Sequence, residues 1–395
     1  MPRFAPFAGL RYDPSRVEPS KVIAPPYDVV GPVERAALAA RHSANAILVE
    51  LPEPDPHSAG DRYAAAADRL ALWRSDGVLV RDPAPAFYPY RMTAPDGSVT
   101  LGVFGELGLE PGSIEEVLPH EETLAKARSD RLDLLAATRV NLSPIWGLSL
   151  APELTALLAT DGPPLITAVD DDGVRHDLWR VDDPATIDAL AARVGSAPVV
   201  VADGHHRLAT AVTYREGAGA ATPGADGILA LVVELAPDAL TVGPIHRVLR
   251  GLPDGLDLVD AFASWFDVTR AGDCTARTTT ALGESSAFAL VTPGGCWLIS
   301  PRDGTPEAAG SDLYSSMVAM VLAELPDHEL TFAHSWQEAV AVVTAEEAQA
   351  AVLLPPVTVD QIGAWARARR RMPPKSTYFH PKPRTGMVFR ALDPD

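Results

Sequence analysis

The sequence predicts a mixed α+β protein built from more than one domain. Short apolar runs rich in β-branched residues, such as Val199-Val200-Val201, alternate with stretches whose apolar residues recur at helical spacing. Turn-forming clusters, Ala94-Pro-Asp-Gly97 and Pro293-Gly-Gly295 among them, join neighbouring strand-like runs as hairpins. The 395 residues exceed one ordinary core, so two or three domains are expected.

Composition narrows the function classes. With 47% hydrophobic and 22% charged residues the chain is globular, not disordered. No apolar run reaches bilayer-spanning length and the first residues show no signal-type apolar stretch, so a cytoplasmic protein is expected. Two cysteines, Cys274 and Cys296, make neither a disulfide framework nor a metal quartet. A formal charge of −19 disfavours generic binding to a phosphate backbone, which relies on Lys and Arg, so nucleic acid is not the expected partner. Arginine outnumbers lysine 29 to four, and Lys21, Lys126, Lys375 and Lys382 all fall in or beside the motifs below. A compact ammonium at such places suits point contact with phosphate or carboxylate.

Along the chain, Ala24-Pro-Pro-Tyr27-Asp28 is extended by its prolines and delivers Tyr27 and Asp28 to a definite place. A helix is expected over 32–40, a strand over Ala46–Leu51, and an amphipathic helix over Asp61–Ser75 closed by Gly77. A hairpin of 86–92 with 98–107 completes an N-terminal part, 1–112. Ser113-Ile-Glu-Glu116 reads as a capping box. It leads to Pro119-His120-Glu121-Glu122 and a leucine-rich helix containing Arg131. His120 and the adjacent carboxylates are either a metal ligand set, a general base or an acid-rich helix turn. A helix over 152–160, a solvated hairpin turn at Asp170–Gly173 and a helix from Pro184 to Gly195 follow.

The centre of the sequence is Val199 to Glu216. A buried strand ends at Asp203-Gly204, and helical spacing begins at Arg207. Asp203-Gly204-His205-His206-Arg207 therefore sits on a strand-to-helix turn. A helix N-terminus offers unpaired N–H groups and positive potential, and two imidazoles, a guanidinium and a glycine complete an anion site, with phosphate the natural ligand. Beyond it, a strand over 227–235 precedes a second His-Arg pair, His246-Arg247, which either converges on the same polyphosphate or ends a strand. Helices are expected at 256–266 and 311–325, the latter with a serine cap, and a capping box at Thr358–Gln361. The last motif, Met372-Pro-Pro-Lys375-Ser376-Thr377, lacks the glycines of a P-loop but offers an ammonium and two hydroxyls to an anion.

D-G-H-H-R between strand and helix resembles the phosphate loop of the ParB/sulfiredoxin superfamily, including its free-serine kinases. Over nearly the whole length, APPYDVV, LPHEET, SDRLDLL, ADGHHR, PIHRV and MPPKSTYFHPK are similar in content and order to the bacterial family named only as domain of unknown function 1015. The kinase resemblance covers 115–250. It implies a ParB/sulfiredoxin-like nucleotide-binding core at 113–250 with an insertion at 151–196, and additional α/β parts at 1–112 and 251–395. It also implies an ATP- or ADP-dependent kinase, with Mg²⁺, acting on a small hydroxylated metabolite, free serine foremost, with CTP as another possible nucleotide. In that reading Glu121, with Glu122 as rival and Asp28 and Glu50 as more distant candidates, is the catalytic base, beside His120 and Asp203. Gly204, His205, His206, Arg207, His246 and Arg247 bind phosphate, while Tyr27, Asp28, Arg131, Lys375, Ser376 and Thr377 bind substrate; no metal ligand is assigned. The alternatives are a ParB-like nucleotide-gated nucleic-acid-binding or nuclease module, and a non-catalytic nucleotide or metabolite sensor.

Overall fold

The computed structural model describes residues 1–54, 61–121, 129–158, 160–217, 219–275, 278, 282, 286–305 and 310–393. It is a mixed α+β chain that divides into two compact units. The first holds Met1–Thr241, Ala366–Arg369 and Pro381–Asp395; the second holds Val242–Trp365 and Arg370–His380.

The first unit is built on one sheet. Its strands run in the order Val117–Pro119, Val199–Asp203, Ile145–Ser149, Gly227–Glu234, Val99–Gly108, Tyr88–Thr93, Arg175–Leu178 and Ile166–Val169, with Phe4–Ala5 also paired to Val99–Gly108. Strands from the expected N-terminal part and the expected core thus share one sheet, and the expected boundary at 112 falls inside this unit. Val199, Val200 and Val201 are fully buried because strands flank them on both sides. Such a position requires a continuous apolar run, not alternation.

The second unit has a six-stranded sheet of antiparallel pairs ordered Phe266–Gly272, Gly295–Pro301, Phe288–Thr292, Ala350–Leu353, His246–Arg250 and Glu329–Ala333. Helices Tyr314–Leu322 and Trp336–Thr344 bury their apolar faces within this unit. The Thr358 capping box forms, with Gln361 N donating to Thr358 Oγ1 at 3.1 Å and Thr358 N to Gln361 Oε1 at 3.0 Å.

Several local expectations are corrected. The run Ala46–Leu51 is not a strand: Ile47–Glu50 is one helical turn, started by Asn45, whose Oδ1 accepts from Ile47 N at 3.0 Å. A short apolar run buried on all sides carries no period, so a helical turn and a strand look alike in sequence. Ser113 makes no cap; its Oγ donates to Gly108 O and accepts from Arg3 N, and only a 3-10 turn, Ile114–Glu116, follows. The expected helix at 152–160 reduces to the 3-10 turn Thr155–Leu157. The expected helix at 256–266 is Leu258–Ala263, with Phe266 opening a strand, and Tyr314–Leu322 carries no serine cap. The expected hairpin turn at 170–173 forms with Asp171, Asp172 and Gly173 exposed, but the Asp170 side chain is buried between His176 Nε2 at 2.9 Å and Arg384 Nε at 2.7 Å, and those two groups hold its carboxyl below the usual range against the opposing effect of burial. No helix among the described residues is long and apolar enough to cross a membrane.

Candidate functional site

Two motifs meet because two strands run parallel. Val117–Pro119 pairs in parallel with Val199–Asp203, Pro119 opposite Val201. Both chains leave the sheet at the same end, so His120-Glu121 emerges beside Asp203-Gly204-His205. Ligand sites in open α/β sheets form outside the carboxyl ends of parallel strands, which is this position. The pairing of Val199–Asp203 with its other neighbour shifts register between Val201 and Asp203, an irregularity at the strand end that re-aims the chain before the turn.

Gly204 makes the turn possible. Its φ of +90° lies where L side chains are strained, and a Cβ there would sit 3.1 Å from both Ile145 Cα and Arg207 Cζ. Helix His205–Glu216 starts immediately after it. The first N–H bonded back along the helix is Leu208 N, to Gly204 O at 2.9 Å, so the N–H groups of His205, His206 and Arg207 lie ahead of the helical ladder.

The side chains divide between two faces. On one, the His120 and His205 rings lie 5.0 Å apart. His120 Nδ1 donates to the Val201 carbonyl at 2.5 Å, which turns its Nε2 toward Glu121 Oε2 at 3.5 Å. His205 Nε2 is buried with no hydrogen-bond partner, and burial together with His120 pushes the ring down to about 4. This face is a neutral imidazole beside a carboxylate, in front of a helix start.

On the other face, Arg207 turns back under the loop. Its Nη2 donates to Asp203 Oδ2 at 2.8 Å and its Nη1 to the Pro144 carbonyl, while Asp28 Oδ2 lies 4.0 Å away. The free guanidinium fork expected for phosphate is therefore already engaged. Lys382 Nζ takes the other oxygen of Asp203 at 3.1 Å. Burial would raise the Asp203 carboxyl, but Arg207 and Lys382 hold it below the usual carboxylate range. Next to Arg207, Arg131 stacks on the Tyr27 ring at 4.4 Å and donates to the Glu50 carbonyl at 2.7 Å and to Asp130. Tyr27, Glu50, Arg131, Ser143 and Arg207 line one small cleft of about 60 Å³.

The remaining expected residues lie elsewhere. His246 and Arg247 belong to the second unit's sheet: His246 Nδ1 accepts from Leu354 N at 3.2 Å, and Arg247 Nη1 donates to Ile245 O at 2.5 Å. Lys375, Ser376 and Thr377 are also in the second unit. Lys375 is exposed with φ of +61°, and Ser376 Oγ donates to Pro373 O at 2.7 Å. Glu122 and Lys126 lie outside the described residues. Sequence reasoning missed Lys382 as the partner of Asp203; its signal was its rarity in an arginine-rich chain. It also missed Ser143, and it ranked Glu50 only as a remote base.

As for a divalent cation, no group of three or more His, Cys, Asp or Glu among the described residues is arranged to hold one, and both oxygens of Asp203 are engaged by Arg207 and Lys382. The described side chains therefore form no dedicated metal cage.

None of the curated proteins matches the chain by sequence. Among solved structures, a free serine kinase variant in complex with AMP aligns over 74% of this chain and 92% of its own, at 14% identity and a TM-score of 0.42. A free serine kinase variant with ADP aligns over 74% and 92%, at 12% identity and a TM-score of 0.41. A conserved hypothetical protein from Pyrococcus furiosus aligns over 74% and 94%, at 12% identity and a TM-score of 0.38. Residues 4–350 match the family described as Protein of unknown function (DUF1015), and the chain belongs to that family.

Proposed function

We propose that the chain is a phosphotransferase that moves a phosphoryl group from ATP or ADP to the hydroxyl of a small metabolite, with free serine the first acceptor to try. The observation that carries this reading is the parallel strand pair that puts His120-Glu121 beside the Gly204 turn and the start of helix His205–Glu216. Phosphoryl transfer needs positioning and charge stabilisation more than covalent catalysis, and a helix start with two imidazoles supplies both.

In this reading the N–H groups at the helix start and the His205 and His206 rings receive the terminal phosphates. Arg207 and Lys382 act as positioning residues: they clamp Asp203 and so fix the turn. The acceptor's oxygen bonds to the terminal phosphorus as the bond to the bridging oxygen breaks, and its proton passes to Glu121. A serine-like hydroxyl is barely ionised at neutral pH, so a positioned carboxylate has work to do. His120, anchored on Val201 O, lies with its Nε2 3.5 Å from that carboxylate. Any Mg²⁺ would enter with the nucleotide, which suits an ion that keeps waters and takes few protein ligands.

The test is to incubate the purified protein with ATP, ADP or CTP together with serine and a metabolite pool. A phosphorylated product formed by wild type and not by Glu121→Gln supports the reading. Nucleotide binding without any product would instead make the chain a sensor.

A further inference from the structure

The chain has two cysteines in 395 residues, and the second unit brings them into contact. Cys296 lies in strand Gly295–Pro301, opposite Gly272, the last residue of strand Phe266–Gly272. The register of that pair shifts between Arg270 and Gly272, and Gly272 has a φ of +82°, so the chain bends out of the strand there. Two residues further on, Cys274 packs against the apolar cluster that buries Cys296 with Val248, Val291, Ala339 and Val343. The Cys296 thiol donates a hydrogen bond to the Cys274 sulfur. That bond pulls the Cys274 thiol below its ordinary value, against the effect of burial, and raises that of Cys296. A buried residue touches roughly 6–12 others, so only about one in forty of the remaining positions would give Cys296 a thiol neighbour.

The two thiols are not equivalent. Cys274 is half-buried, whereas Cys296 is 0% exposed. An oxidant in solution can therefore meet the first and not the second. An accessible thiol that ionises readily, with another thiol touching it, is the arrangement of an attacking and a resolving cysteine. The geometry points to a redox-modification site: Cys274 and Cys296 close reversibly into an intramolecular disulfide, with a low-molecular-weight disulfide as the oxidant. The Cys274 thiolate, its proton lost to water, attacks one sulfur of that disulfide. The S–S bond breaks, and one thiolate leaves with the electron pair and takes up a proton from water. Cys296 then attacks Cys274 Sγ, the mixed disulfide breaks, and the second small thiol leaves with the proton from Cys296. Two protein thiols are oxidised to one disulfide as one small disulfide is reduced to two thiols. The inference does not depend on the chain being a kinase, since neither cysteine belongs to the site proposed for phosphoryl transfer.

The test is to incubate the folded full-length protein with oxidised glutathione, quench it in acid, and measure intact mass and free thiols after unfolding. The expected product is a monomer lighter by two hydrogens with no free thiol, returned to two free thiols by dithiothreitol. Cys296→Ser should stop with one glutathione attached to Cys274. Cys274→Ser should keep Cys296 as a free thiol and gain no glutathione. A wild type that keeps both thiols, that stops at the mixed disulfide, or that links two chains instead would each overturn the inference, as would a folded Cys274→Ser variant that takes up glutathione. The wild-type measurement keeps the inference testable if either variant does not fold.

Discussion

The chain contains the dipeptide His-Arg twice in strand-rich surroundings, and the two copies have opposite fates. His206-Arg207 begins a helix after a left-handed glycine, where backbone N–H groups lie ahead of the ladder. His246-Arg247 lies in a strand paired on both sides, where the backbone is bonded and both side chains are taken up locally. The same dipeptide thus lies at a candidate anion site in one unit, where Arg207 braces the turn through Asp203, and in a paired strand in the other. What decides is how much hydrogen-bonding capacity the surrounding backbone leaves unspent.

Glu121→Gln keeps shape and removes basicity, so turnover should fall by roughly 10²–10⁴-fold with nucleotide affinity intact. Equal turnover in steady-state assays with the true acceptor would remove Glu121 from the mechanism. Next comes Arg207→Ala, which strips Asp203 of one of its two cationic partners. Urea unfolding should show a loss of about 3 kcal/mol, the scale of a broken buried ion pair. A loss well under 1 kcal/mol would mean that Lys382 alone braces the turn.

Legibility followed the same division. The turn at 203–207 could be read because its causes are local: three valines, a glycine, then helical spacing. The joining of Pro119-His120-Glu121 to that turn depends on a strand pairing some eighty positions away, visible in sequence only as the order of motifs. The Lys382 contact with Asp203 is longer-range still and left only a compositional trace. Glu50 was hidden because Ile47-Leu-Val-Glu50 reads equally as strand or helical turn, and a lone carboxylate in it looks like an edge residue. Asp170 was misread as solvated because Arg384, one of its two partners, lies more than two hundred residues away.

The two histidines also respond differently to pH and ligand. His205 and His246 are both pushed down to about 4, mainly by burial, with His120 and Arg247 respectively adding to it. An unfolded imidazole titrates near 6.5, so as pH falls from about 6.5 to about 4 the unfolded chain takes up these protons first. Stability present above pH ~6.5 is therefore lost across that window. ADP should raise the His205 value, because a phosphate beside the ring favours its charged form, and leave His246 where it is. Imidazole NMR titrations with and without ADP measure this, and a His205 that ignores ADP would count against phosphate at the loop. The smallest effect is expected for exposed Lys375: Lys375→Ala should change stability by no more than about 0.5 kcal/mol in thermal melts. A larger loss would make the MPPKST loop a structural element of its unit.

The claim beneath all of this is that nucleotide phosphates bind at the turn before helix His205–Glu216. Titration calorimetry of ADP into wild type, His205→Ala and His246→Ala tests it most directly. His205→Ala should weaken binding by roughly tenfold, the scale of a hydrogen bond to a charged group, while His246→Ala should bind as wild type does. Unchanged affinity in a folded His205→Ala variant, or equal losses in both, would contradict it.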